Sequence, residues 1–295
     1  MLVFVSIIVT LVIFPVHAFA FGPVTHFELG WQVANILQDV PGLLSVPLTA
    51  LMTEFLLGNV VPDNVLAKNL ARFSRHSHNW ENGFALLKSA LNDSERAVAL
   101  GYLGHLAADV VAHNLYVPVV SLLKYDVNRS GHVSWEMKMD KLMIQHPQEY
   151  KALSDRDVYF KYDYFLGQVI HGTILRGNMN NRISRRVFSV AGAMAVPRNR
   201  VRSLNPDSQP PLDTINLCRK LALRSMCSLI RDMQKSPVVR LDPRGKEIAA
   251  FVRKKRREIR LKLKYGSTPK DVLDEQAGAL ADELTRSLID VIPGE

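Results

Sequence analysis

Three side chains in one short stretch could do chemistry together: His105, Asp109 and His113, in His-Leu-Ala-Ala-Asp-Val-Val-Ala-His. On an α-helix, steps of four turn the direction by only about 40°, so the three share one face. The residues between them are small or apolar, which buries this helix against its neighbours. Two imidazoles and a carboxylate turned into a core are costly unless something pairs them. A divalent metal does so, and nitrogen and oxygen donors of this kind suit zinc. A second pair, His132 and Glu136, repeats the i, i+4 spacing. Upstream stand His26 in Phe-Gly-Pro-Val-Thr-His, Asp63 in Gly-Asn-Val-Val-Pro-Asp, and His76 and His78 in Arg-His-Ser-His-Asn-Trp. Six of the nine histidines fall between residues 26 and 132, a clustering that a metal site explains.

Helices must position these groups. Apolar residues recur at helical spacing in 27–39 and 47–57. A longer helix starts at Asn92, capped with Glu95, and runs towards Pro118. Further helices are expected near 132–145, 156–172, 213–235 and 245–264, and a last one from Thr268-Pro269 to about 292. The proline steps in 195–212 mark a loop or linker. Nothing past residue 21 reads as strand, so the class is all-α.

Residues 2–14 are almost purely apolar, Pro15 follows, and Ala18-Phe19-Ala20 has the small-x-small form of a signal-peptidase site. Residues 1–20 are therefore expected to be a signal peptide, with the mature chain starting at Phe21 and the protein periplasmic or secreted. The alternative is an uncleaved membrane anchor. The formal charge is +9. Much of the excess sits in Arg253-Lys254-Lys255-Arg256-Arg257 with Arg260, Lys262 and Lys264, and a second basic cluster spans Arg182 to Arg202. Such a surface favours anionic lipid or nucleic acid, or is simply a solvated helix face. One version of the first reading lays Phe251, Val252, Ile259, Leu261 and Leu263 on an anionic bilayer. Cys218 and Cys227 are too few for a disulfide framework and read as two separate buried thiols.

The ligand types also have an order: His26, Asp63, His78 followed by an aromatic, His105-x3-Asp109 with His113 beyond, then His132-x3-Glu136. Over about residues 21–140 this order resembles the zinc-dependent phospholipase C family, which is related to the zinc-dependent single-strand nucleases. Between His76 and His78, His78 matches better because an aromatic stands two positions on. The resemblance implies a multi-helix bundle around a buried trinuclear zinc site of up to three Zn2+. It assigns Phe21 (through its main chain), His26 and Asp109 to one ion. Asp63, His78 and His105 go to a second, with Asp109 bridging, and His113, His132 and Glu136 to a third. The Phe21-to-His26 interval matches the nuclease branch, whereas His132-x3-Glu136 matches the phospholipases. Asp109 to His113 spans four positions where both branches usually have six.

The implied organisation is a signal peptide over 1–20, a zinc-dependent phospholipase C-like helical domain over 21–200, and a C-terminal helical extension with a basic helix over 201–295. The implied activity is a zinc-dependent phosphodiester hydrolase of the phospholipase C type, with phospholipid as substrate and Asp63 accepting the proton of the attacking water. No protein partner is implied. The alternatives are a nuclease acting on single strands and a non-catalytic exported protein with structural zinc. His146 and His171 lie outside the pattern and read as structural or solvated.

Overall fold

The structure is a computed structural model; it describes residues 21–64, 77–127, 131–155, 161–167 and 210–294, without the side chains of 64, 131–134, 136, 137, 154 and 155. Among the described residues every regular element is a helix. The all-α class holds.

The molecule is built around α4, Asp93–Val111, whose His105 face and opposite face are both buried. Its start follows the expected chemistry: the Asn92 side chain accepts from Glu95 N at 2.9 Å, and the Glu95 carboxylate accepts from Leu91 N at 2.7 Å. The helix does not stop at Pro118. A π turn, Ala112–Tyr116, carries it into α5, Val117–Leu123. Val117 N–H donates five residues back to Ala112 O, and this wider turn relieves the clash a proline ring makes with the preceding turn. Composition and length would let Asp93–Leu123 cross a membrane, but 78% of its most apolar window is buried in protein. It is a core helix.

Around this axis lie α1 (Pro23–Ile36), α2 (Met52–Val60, running into a 3-10 turn Val61–Asn64) and α3 (Trp80–Ser89). They are followed by α6 (Gly131–Met143), α7 (Pro147–Asp155) and α8 (Asp163–Gly167). Then come α9 (Leu212–Asp232), α10 (Lys246–Lys264) and α11 (Lys270–Ile289). The closest crossing is α2 on α4. A Cβ on Gly101 would sit 2.0 Å from Phe55 O, and one on Gly58 would sit 1.9 Å from Val98 O, so the two backbones touch and only glycine fits. On another side α9 inserts Ile215, Cys218, Leu221 and Met226 into the apolar cluster that holds Leu103, Ala107 and Val110 of α4. Farther along, Leu122 of α5 packs with Val252 and Leu284, and Tyr125 packs with Ile259, Leu273 and Ala277.

Two helices go beyond the expected set, α3 and α7; α7 carries its own start signal, a proline in the first turn after His146. The last helix starts at Lys270, one residue later than expected, with Pro269 in the cap position. Val252 and Ile259 are each 4% exposed. They form the packed seam of α10, so they do not lie on a bilayer as the lipid reading had them. Cys218 and Cys227 are free and buried, and burial raises both thiols above their ordinary pKa. The segment 1–20, the 195–209 part of the expected linker, the Arg182–Arg202 cluster, His76, His171 and the 200/201 boundary lie outside the described residues.

Candidate metal centre

Asp109 occupies the middle of the site. Its side chain is only 2% exposed, with Oδ1 3.3 Å from His26 Nε2 and Oδ2 2.9 Å from His78 Nε2 and 3.2 Å from His105 Nε2. Three imidazoles thus converge on one carboxylate from α1, α4 and the stretch before α3. Asp63 joins them from the 3-10 turn after α2, with Oδ1 3.2 Å from His78 Nε2 and 3.8 Å from His105 Nε2, and Oδ2 3.9 Å from His26 Nε2.

Each ring is aimed by something behind it. His105 Nδ1 lies 2.8 Å from Asn59 O. A carbonyl only accepts, so Nδ1 carries the proton and Nε2 turns a lone pair to the centre, the arrangement a metal-binding histidine needs. His78 Nδ1 is 2.9 Å from Ser77 Oγ, and the buried Tyr102 hydroxyl donates to Ser77 O; burial holds the Tyr102 phenol above its ordinary pKa. His26 is wholly buried and stacked on His105, with ring centroids 3.8 Å apart and 22° between planes. Among the described residues neither of its ring nitrogens makes a hydrogen bond of good geometry, although Nε2 stands 3.3 Å from Asp109 Oδ1.

The charges are tuned accordingly. Burial, then the neighbouring His105, lowers the His26 pKa, outweighing Asp109 and Asp63, so His26 is a neutral base. Burial pushes the Asp109 carboxyl up, but His105 and His78 together with hydrogen bonding hold it well below the usual range. A neutral His26 beside an ionised Asp109 forms part of a donor set that a divalent cation would complete. Two groupings within ligand distance emerge, His26–Asp63–His105 and His78–His105–Asp109, which share His105 and form one site. His105 Nε2 and His78 Nε2 stand 3.2 Å apart. Zinc bonds of about 2.0–2.1 Å in tetrahedral array put ligand atoms about 3.3 Å apart. Together with the buried His26 nitrogens, this fits the residues present to zinc.

The remaining sequence-predicted residues fall around this centre. Phe21 is fully buried, its ring 6.0 Å from that of His26 and 5.6 Å from that of Tyr116. His113 is half-buried in the π turn and belongs to neither grouping. His132 and Glu136 sit on α6 four residues apart, but their side chains lie outside the described residues. The set expected at a third ion therefore has only His113 among the described side chains.

Sequence reasoning missed three supports. One is the Asn59 main-chain carbonyl. The second is Asp140 on α6, 6% exposed, which accepts from Thr25 N at 2.8 Å and Thr25 Oγ at 2.6 Å and so caps α1 from outside. A Cβ at Gly22 would lie 2.1 Å from its carboxylate, which is why glycine stands there. Burial raises the Asp140 pKa to about 6 against the donors that lower it. The third is Glu28, fully buried, which accepts from Gln145 N and His146 N at 2.7 Å each and pairs with His146 Nδ1 at 2.8 Å. The His146 ring stacks on Trp31. Asp140 does continue the His132–Glu136 spacing by four more positions, the one signal that pointed to any of the three.

Residues 25–180, just over half of the chain, match the family model described as zinc dependent phospholipase C. No curated protein and no solved structure matches the chain.

Proposed function

From the chain's membership of the zinc-dependent phospholipase C family, we propose that it is a phosphodiester hydrolase that cleaves phospholipids between diacylglycerol and the phosphorylated head group. The observation that carries the reading is the buried convergence of three imidazoles and two carboxylates on one point. His26, Asp63, His78, His105 and Asp109 would hold zinc, with Phe21, His113, His132 and Glu136 completing the set the family resemblance implies. Zinc there would bring the pKa of a bound water near neutrality and draw charge from the phosphoryl oxygens.

The chain's own part is orientation and proton handling. Asp109 keeps the three imidazoles facing one point, and Asn59 O locks His105 in the productive tautomer. Asp63 has the most exposed side chain of the five, at 6%, so it stands nearest to an arriving substrate. It accepts the proton as the water oxygen bonds to phosphorus and returns it to the diacylglycerol oxygen as the bond from phosphorus to that oxygen breaks. Export belongs to the same proposal: Phe21 is buried beside His26, where a free amine after cleavage would serve the site. N-terminal sequencing of protein recovered from cells tests it, because a chain still starting at Met1 refutes cleavage.

The deciding experiment follows hydrolysis of phosphatidylcholine and of single-stranded DNA by purified protein, with and without a chelator, beside Asp63→Asn. Chelator-sensitive release of a phosphorylated head group, lost in a folded Asp63→Asn variant even at saturating zinc, is the expected result. Cleavage of DNA alone overturns the lipid substrate. A zinc-loaded protein without either activity overturns the catalytic reading in favour of structural zinc.

A further inference from the structure

Helix α10 turns different chemistry to different sides. Inward, Val252 and Ile259 pack on the bundle, and the buried Arg256 donates to the main-chain oxygens of Tyr125 and Val127. At 100° per residue, Lys246, Arg253, Arg257, Arg260 and Lys264 fall within a stripe about 60° wide and about 27 Å long. Four of the five are exposed and Arg260 is half-buried. The two acids of the helix, Glu247 and Glu258, stand on the other flank, where Glu258 pairs with Lys255 at 3.4 Å and Lys262 reaches Gln276 of α11. On α11, Asp274 is held by Lys270 at 2.9 Å. Lys254, Lys255 and Lys262 share the flank of α10 with the two glutamates, so the stripe carries cations alone while the flank carries both signs.

We propose that this stripe docks the protein onto an anionic phospholipid surface. The inference rests on the phospholipid reading of the active site and adds where that substrate is met. A straight line of cations without interleaved aromatics suits a planar array of head groups. A single-strand groove wants aromatic rings between its cations; here Phe251 lies on the glutamate flank beneath Lys255, and Tyr265 comes only at the stripe's end, its ring 5.4 Å from Lys264 Nζ. The stripe also starts beside the metal-bearing helix. Gly245, which opens α10 at φ 52°, lies so close to that helix that a Cβ there would be 2.4 Å from His113 O. His113 is one turn beyond Asp109. A lipid surface held by α10 is held next to the scaffold of the site.

The test is co-sedimentation of the full chain with vesicles of phosphatidylcholine alone or mixed with phosphatidylglycerol, at low and high salt. It is run beside the variant Arg253→Gln/Arg257→Gln/Lys264→Gln, and turnover of a soluble short-chain phospholipid is followed in parallel. The wild type is expected to sediment with the anionic vesicles only, and less so in salt. The variant should lose on the order of a hundredfold in affinity, since each cation near an anionic surface counts for about fivefold, with its zinc content unchanged. A variant that sediments like the wild type, or a wild type that ignores anionic vesicles, overturns the proposal. So does single-stranded DNA that binds through the same three side chains and strips the protein from vesicles. Loss of vesicle binding in the variant, combined with no short-chain turnover in either protein, leaves the docking surface standing and refutes the phospholipase reading alone.

Discussion

At His105 a main-chain carbonyl decides which nitrogen faces the site, and at Asp109 three imidazoles meet a single carboxylate. Asp109→Asn is therefore expected to lose more zinc affinity than the roughly 10–100-fold typical of removing a group one layer out. Zinc per chain after dialysis against a weak chelator measures this, and an unchanged stoichiometry would refute the bridging role. Asp140 makes the contrary prediction about pH. Its folded pKa of about 6 lies above the ordinary 3.8, so the folded state holds the proton more tightly than the unfolded one. The unfavourable term is thus absent below the ordinary value, grows as pH rises through this window and is complete above about pH 6. In metal-free protein Asp140→Asn should then be more stable than wild type at pH 8, by up to about 3 kcal/mol. The two should converge at pH 4 in urea denaturation; an equal difference at both pH values would refute the assignment. Spacing alone announced His105 and Asp109, because both lie on one helix and its period aligns them. Asn59, Asp140 and Glu28 act across gaps of 46, 115 and 117 residues, and no local pattern carries that information.

Among the elements, the α2–α4 crossing sets the site's geometry, since it delivers both Asn59 O and the turn bearing Asp63. Gly101→Ala would push a methyl into Phe55 O and is expected to cost about 1–3 kcal/mol, with weaker zinc binding as Asn59 shifts. Gly278 in α11 is the matched control: a Cβ there meets nothing within 4 Å, so Gly278→Ala should stabilise by about 0.5–1 kcal/mol. Thermal melts of both variants give opposite signs if close approach, and not helix propensity, governs Gly101. The helix periods of α1, α4 and α9 were readable because each buries a long apolar face, whereas α10 buries only the seam of Val252 and Ile259 around Arg256. Pro118 misled the reading of α4's end, since a π turn that accommodates a proline has no sequence signature of its own. The start of α3 lay hidden in a motif whose histidines drew the eye to chemistry, although Asn79 caps it by accepting from Glu81 N.

For the molecule as a whole, α9 shares one apolar cluster with α1 and α4, although its sequence carries none of the ligand pattern. A chain ending at residue 209 would leave Leu103, Ala107 and Val110 facing water. It is expected to yield no cooperative unfolding transition by circular dichroism; a sharp one would show that the segment before α9 folds alone. Ligand order is visible in sequence because chemistry constrains residue identity, whereas the closing helices need only be apolar on one side, which many sequences satisfy. The same burial has a practical side. Both thiols lie in the packed bundle, Cys218 at 0% and Cys227 at 8% exposure, so the native protein is dark to alkylating dyes. A dye added to the wild type becomes a clock, its rate of incorporation counting the moments when α9 lifts from α4, and a cysteine placed at the exposed Ala250 would take a single fluorophore.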